Sequence, residues 1–133
     1  MAQRQGDRLI HRLQQVKKQL ESQMQRHKYY RNPQINLTLL SRQIGTNRSY
    51  LSFAIMYGYG CNFCTYINRL RLAETLNNVH RSLQSEDSLY DTALSCGFNS
   101  KRTFNRAFLR EKGLLPVDFV AQHKRLSLQN KNE

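Results

Sequence analysis

Two amphipathic helices in close succession are predicted between residues 88 and 112. In each, apolar or small residues recur every three or four positions, which is the spacing of a buried helical stripe. Gly97 is typical of the left-handed residue that ends a helix, and Ser100 is typical of an N-cap, whose hydroxyl accepts a backbone N–H. The stripe residues are Leu89, Ala93 and Cys96 in the first helix and Phe104, Ala107 and Phe108 in the second. The segment therefore predicts a helix-turn-helix unit.

A second copy of this pattern lies at residues 37–57. Gly45 corresponds to Gly97, and a small residue, Ser41 or Ala93, precedes each glycine by four positions. Each copy also has a capping residue followed four positions later by a large apolar residue. The remaining matched pairs are Leu37 with Leu89, Ile44 with Cys96, Asn47 with Ser100, and Leu51 with Phe104. The glycines are 52 residues apart, which leaves room for one connecting helix between the two units.

The fold class predicted from these elements is all-α. Two helix-turn-helix subdomains are joined by a connecting helix and preceded by a long N-terminal helix. The predicted ranges are a lead-in helix or linker at 1–30, one domain at 31–123 with units at 37–57 and 88–112, a connecting helix at 62–79, a last helix at 116–122, and a polar tail at 124–133. Turns or loops are expected at 58–60 and 80–87, and Pro116 suits the first turn of the last helix.

The N-terminal helix is predicted over residues 7–31, with Pro33 expected to end it. Its apolar stripe consists of Leu9, Leu13, Val16 and Leu20, extended weakly by Met24 and His27. Three interpretations are open. The stripe packs on the following domain, mainly through its C-terminal half; or it forms a coiled coil, for which fewer than three heptads are present; or it is a basic surface helix that touches membrane or nucleic acid.

Net charge narrows the choice of partner. The chain has 21 basic and 9 acidic residues, a formal charge of +12 and an isoelectric point near 10.1, which favours a polyanion such as nucleic acid. Residues 1–34 contain eight basic and two acidic residues, whereas residues 35–123 contain ten and six. No membrane span or signal peptide is predicted, and three cysteines fit a reducing compartment. A soluble intracellular protein, or a soluble piece of a larger one, is expected, without membrane contact by this segment.

The positions left outside the buried stripes are the candidate contact residues. The second unit leaves Lys101, Arg102, Thr103, Asn105 and Arg106 outside, and the first leaves Arg48, Ser49, Ser52, Phe53 and Met56. Cations, amides and hydroxyls at a helix N-terminus suit phosphates and base edges. The apolar pair, Phe53 and Met56, either contacts thymine methyl groups or packs on a neighbouring element. Arg69 and Arg71 either reach phosphate or are simply solvated.

The chain resembles the DNA-binding domain of the AraC/XylS family of bacterial transcription regulators over about residues 28–123. The resemblance is carried by the paired units, by YINRLRL at 66–72, and by CGF, TFNRAF and KGLLPVDF toward the end. Its matched positions are Gly97, Phe98, Phe104, Arg106, Phe108, Gly113, Pro116 and Phe119. The resemblance implies about seven helices, with two recognition helices that enter successive major grooves of one duplex, about 34 Å apart.

Site residues follow by position from this resemblance. The implied base-facing set is Arg48, Ser49, Ser52, Phe53, Lys101, Arg102, Thr103, Asn105 and Arg106. Helix N-termini at Asn47 and Ser100 would face phosphates. Phe53 departs from the family, in which a cation or polar residue is common at this position. The resemblance also implies a bacterial cytoplasmic location and an upstream sensor domain or RNA polymerase as a further partner.

Enzymatic and metal chemistry is not predicted. Cys61 and Cys64 form a C-x-x-C pair, but zinc needs four ligands, and the pair lacks the βαβ context of a redox motif. No cofactor is therefore expected. The leading hypothesis is a sequence-specific duplex DNA binder that regulates transcription. The alternatives are a basic helical protein-interaction module without sequence-specific readout, and an RNA-binding protein.

Overall fold

The computed structural model describes residues 2–79 and 85–131, and over these residues the protein is helical, without strands. The described helices are α1 (Ala2–His27), a 3-10 helix (Tyr29–Arg31), α2 (Leu37–Ile44), α3 (Arg48–Tyr59), α4 (Phe63–Val79), α5 (Glu86–Ser95), α6 (Lys101–Lys112) and α7 (Pro116–Lys131). The predicted all-α fold with a long N-terminal helix is therefore confirmed.

The chain forms two compact units, Met1–Ile67 and Asn68–Glu133, and the division between them falls inside α4. The first unit contains α1, α2 and α3, and the second contains α5, α6 and α7. Each unit thus holds one of the two predicted helix-turn-helix motifs.

The turn between the paired helices has a left-handed glycine and the same closing hydrogen bond in both units, although the second turn is one residue longer. Gly45 has φ 84° and Gly97 has φ 113°, the left-handed region that favours glycine. The amide of the residue after each glycine donates to the carbonyl of the small residue that precedes the glycine by four positions. The two hydrogen bonds are Thr46 N–H to Ser41 O at 2.9 Å and Phe98 N–H to Ala93 O at 3.1 Å. These small residues are almost fully buried. The repeat detected in the sequence is therefore a repeat of backbone geometry.

The core of the first unit includes the C-terminal half of α1. α1 packs against α2 and α3, and its buried residues are Leu13, Val16, Leu20 and Met24. Leu9, by contrast, is 46% exposed, and His27 is exposed. The interpretation that the C-terminal half of the stripe packs on the following helices is therefore confirmed, and the helix belongs to the first compact unit.

α1 ends earlier than predicted, at His27 rather than residue 31. Lys28 adopts a left-handed conformation with φ 50° and ψ 51°, and its amide still donates to the Met24 carbonyl at 2.8 Å. The 3-10 turn Tyr29–Arg31 follows. The helix is therefore ended by the backbone at Lys28 and not by Pro33.

The core of the second unit is built on a chain of aromatic rings. Phe104 lies edge-on to Phe98 and to Phe108, with ring centroids 5.3 and 5.7 Å apart, and Phe108 lies edge-on to Phe119 at 5.1 Å. Such edge-to-face pairs are favourable because the positive ring edge meets the negative ring face. Leu89 and Ala93 of α5 close the cluster. The stripe predicted for α6 is thus its buried face.

Two other boundaries differ from the prediction. α3 continues through Gly58 to Tyr59, and the C-cap Gly60 has φ 67°. α5 begins at Glu86, inside the predicted 80–87 loop, because Ser85 and Ser88 form a reciprocal capping box. Residues 80–84 of that loop lie outside the described residues.

The last helix is also longer than predicted. α7 runs to Lys131 instead of ending at residue 122, so most of the predicted polar tail is helical. No glycine or proline follows Pro116, and Lys, Arg, Gln and Leu are good helix formers.

The buried face of α4 also differs from the predicted stripe. Tyr66 and Ile67 are buried as expected, but Ala73 is exposed. The buried residues further along the helix are Arg71, Leu72, Thr75 and Val79. The change coincides with the division between the two units at Ile67. A single helical stripe does not describe a helix that contributes to two cores.

Candidate nucleic-acid interface

The second unit presents α6 as a helix with one buried and one polar face. Ser100 caps it: the hydroxyl accepts the Thr103 amide at 3.1 Å, as predicted. Arg102 and Arg106 are exposed, and their spacing of four puts them on one face of the helix. Neither has an ion-pair partner among the described residues. Two unpaired guanidinium groups therefore lie side by side near the start of α6.

The other candidates on α6 are less open. Lys101 lies 4.0 Å from the Glu86 carboxylate and 5.9 Å from the Tyr90 ring, so it is directed toward the start of α5. Thr103 is half-buried and accepts a hydrogen bond from Ser100 at 2.8 Å. Asn105 is also half-buried, and its Oδ1 is buried without a hydrogen-bond partner in the described part of the chain. The arginines are thus the most accessible candidates of the second unit.

The first unit presents α3 with a different outer face. Asn47 caps the helix by accepting the Tyr50 amide at 2.9 Å, which confirms the predicted cap. Arg48, Ser49 and Ser52 are exposed, as the pattern predicted. The next turns are apolar: Phe53, Met56 and Tyr57 are exposed by 58, 53 and 50%. Phe53 and Met56 are more than half exposed, so no neighbouring element covers them in the described part of the chain.

Tyr57 was not among the predicted site residues, although it belongs to the same exposed surface. The sequence signal was the run of apolar residues at 53–57, which is too continuous for a one-sided helix. The apolar outer patch of α3 is hereafter Phe53, Met56 and Tyr57.

The two arginines proposed as phosphate contacts have different surroundings. Arg69 is exposed, and its Nε donates to the Glu111 carboxylate at 2.9 Å. Arg71 is only 7% exposed, and its guanidinium lies 6.0 Å from the centroid of the Phe98 ring. A buried guanidinium cannot reach a phosphate on the surface of a duplex. Arg71 is therefore removed from the phosphate-contact set and belongs to the core of the second unit.

A further basic element adjoins α3 and was not assigned to the site from the sequence. The Arg12 guanidinium of α1 lies 4.9 Å from the centroid of the Tyr50 ring, and Lys17 Nζ lies 5.3 Å from that of Tyr59. The Tyr59 hydroxyl donates to Glu21 at 2.7 Å, which holds the pKa of that carboxyl below its usual value. Residues further along α1 contact residues further along α3, so the two helices run in the same direction.

A shallow cleft of about 650 Å³ lies where α1 passes the beginning of α3. It is lined by Leu9 of α1 and by Asn47, Arg48, Ser49, Tyr50 and Phe53 of the first unit. The N-terminal half of α1 thus lies beside the residues that were predicted to face DNA.

The match with known proteins covers both units. Residues 40–122 match a family model described as "Helix-turn-helix domain", of the AraC type, over 83 of the 133 residues. The chain belongs to the AraC-type helix-turn-helix family. Among solved structures, a Listeria innocua protein of unknown function has 24% identity and a TM-score of 0.61, covering 77% of this chain and 91% of its own. That similarity supports the fold alone. No curated protein matches the chain.

Membership of the AraC-type family gives the general function: the chain binds DNA and regulates transcription, and the family is one of regulators rather than of enzymes. Within residues 2–79 and 85–131, this AraC-type chain has no helix long and apolar enough to cross a membrane. The described residues also contain no cluster of three or more His, Cys, Asp or Glu side chains that could hold a metal ion. Its three cysteines, Cys61, Cys64 and Cys96, are free thiols.

Proposed function

We propose that the protein binds duplex DNA sequence-specifically, with α3 and α6 as recognition helices in successive major grooves, and regulates transcription in this way. The observation that supports the proposal is the repeated local structure. Each helix follows a left-handed glycine, begins at a side-chain N-cap, and carries exposed polar residues in its first turns. In helix-turn-helix proteins the N-terminal residues of the recognition helix contact the bases.

The second unit supplies most of the hydrogen bonds to bases in this proposal. Arg102 and Arg106 have the planar fork that pairs with guanine O6 and N7, and Asn105 has the amide that pairs with adenine. Because the Asn105 Oδ1 is buried, its pairing with adenine requires the side chain to turn outward. Lys101 and Thr103 remain in the set as flanking contacts.

The first unit reads DNA with fewer polar groups. Arg48, Ser49 and Ser52 supply the polar contacts, and Phe53 and Met56 contact thymine methyl groups, which project into the major groove. The amides at the starts of α3 and α6, beside Asn47 and Ser100, face phosphates. Arg69 also contacts phosphate, by giving up its exposed ion pair with Glu111 for a phosphate oxygen. The loss of that pair costs little, because exposed ion pairs contribute little to stability.

Substitution of Arg106 tests base readout directly. Arg106→Ala is expected to weaken binding to the preferred duplex by about 1–3 kcal/mol and to relax the preference at one base pair. Lys112→Ala is the matched control, because Lys112 is an exposed cation at the other end of α6. The assay is fluorescence anisotropy with the preferred duplex and with its single-base variants.

The pattern of loss separates two roles for Arg106. Loss confined to the preferred base pair supports base reading. An equal loss on every duplex would show that Arg106 contacts only phosphate and would contradict its proposed role.

A helical protein-interaction module is the alternative function, and one observation favours it. The apolar outer patch of α3 is exposed by half or more at each of its three residues, and such patches also bind proteins. If binding of a DNA duplex protects this patch from solvent, the patch contacts DNA and the DNA-binding function is favoured over the protein-interaction module. Contact with RNA polymerase or an upstream sensor domain, and a bacterial cytoplasmic location, stay predictions.

A further inference from the structure

We infer that the N-terminal half of α1 is a third DNA-contacting element, which binds the phosphate backbone beside the duplex segment that α3 reads. This inference rests on the proposed role of α3 as a recognition helix. α1 lies outside the segment that matches the family model, which begins at residue 40. Membership of the family therefore does not by itself imply this contact.

The direction of α1 is the first argument. Arg12 packs on Tyr50 in the first turn of α3, whereas Lys17 and Glu21 reach Tyr59 at its last residue. The helices therefore run in parallel, and residues before Arg12 extend past the N-terminus of α3. At about 1.5 Å per residue, Arg4 lies roughly 12 Å beyond Arg12. The N-terminus of a recognition helix is the end that faces DNA, so α1 projects toward the same duplex.

The placement of charge is the second argument. Arg4, Arg8 and Arg12 are spaced by four, so they form one stripe along α1, on the side where Arg12 meets α3. Arg4 and Arg8 are exposed and have no ion-pair partner among the described residues. Asp7 is the one acidic residue in positions 2–20. Unpaired guanidinium groups in a row match a row of phosphates, with which Arg forms bidentate hydrogen bonds.

The rigidity of the attachment is the third argument. Leu13, Val16 and Leu20 are buried in the first unit, so α1 is fixed along α3. The contact with Lys17 is close enough that a Cβ atom at Gly58 would come within 2.5 Å of that side chain. A helix held in this way carries its arginines on a backbone that is fixed beside α3, so that little backbone freedom is lost on binding.

The salt dependence of DNA binding tests the inference. Each phosphate contact contributes about 0.9 to the slope of log K against log salt. Arg8→Gln is expected to reduce the slope by about 0.9, and Arg4→Gln/Arg8→Gln by about 1.8. Arg26→Gln is the matched control: it removes the same charge from the same helix, about 27 Å from Arg8, and should leave the slope unchanged. Far-ultraviolet circular dichroism checks that each variant is folded.

The outcomes separate this inference from the proposed function. If Arg8→Gln leaves the slope unchanged, or lowers it no more than Arg26→Gln does, α1 does not contact DNA and the inference is wrong. Selection of preferred duplexes is measured independently with the unsubstituted chain. A recovered motif with an unchanged Arg8→Gln slope would refute only the α1 contact. A reduced slope without any motif would refute only sequence-specific reading.

Discussion

Removal of the Leu20 side chain tests whether α1 is structurally part of the first unit. Leu20 is fully buried, and Leu20→Ala deletes three carbon atoms from this core. At about 0.8 kcal/mol for each buried methylene-sized group, the transfer contribution alone is about 2.4 kcal/mol. The cavity left behind adds to this value, and buried Leu→Ala changes typically cost about 2–5 kcal/mol. We therefore expect the free energy of unfolding of the first unit to fall by about 3 kcal/mol.

The assay must distinguish the two compact units, because they need not unfold together. Urea unfolding measured by amide hydrogen exchange, read by mass spectrometry, reports α3 and α6 separately. The loss should appear in α3 of the first unit and leave α6 unchanged. Leu9→Ala is the matched control, since Leu9 is 46% exposed on the same helix, and it should cost less than about 1 kcal/mol. A loss below about 0.5 kcal/mol for Leu20→Ala would refute the packing of α1 as a core element.

Three further predictions concern a cap, a chemical probe and a base contact. Ser100→Ala should destabilise the second unit by about 1 kcal/mol, whereas Ser100→Gly should cost only a few tenths, as measured by urea unfolding. Iodoacetamide should modify exposed Cys64 before buried Cys61 and Cys96, because burial blocks access to the thiols and, for Cys96, also raises the thiol pKa. Equal modification rates of the three cysteines, measured by mass spectrometry, would contradict the burial of Cys61 and Cys96. Replacing thymine by uracil in the α3 half-element should cost about 0.8 kcal/mol for each methyl group contacted, and the double substitution Phe53→Ala/Met56→Ala should abolish that difference. A methyl effect that survives the double substitution would exclude these contacts.

Local signals carried most of what could be predicted from the sequence. Gly45, Gly97, Asn47 and Ser100 act through backbone conformation and hydrogen bonds with near neighbours, so their roles are readable from residue type and spacing. α7 extends further than its polar C-terminal half predicts, because no helix-breaking residue follows Pro116.

Features that depend on tertiary packing were not readable in this way. Arg71 has the sequence surroundings of a surface residue, but the second core closes over it and Phe98 lies against its guanidinium. The contact between Arg12 and Tyr50 likewise cannot be predicted from the sequence. The two residues are 38 positions apart, and only the packing of α1 on α3 brings them together. The basic character of α1 is evident from the sequence, but its position beside the recognition helix is not.

Selection of tight binders from a random-sequence duplex pool, followed by a salt titration of the selected duplex, tests the central claim most directly. We expect a motif with two half-elements about one helical turn apart, one read by each unit, and a steep log–log salt slope. A single short half-element would contradict reading by both units. Tight, steeply salt-dependent binding with no motif would contradict sequence-specific recognition altogether.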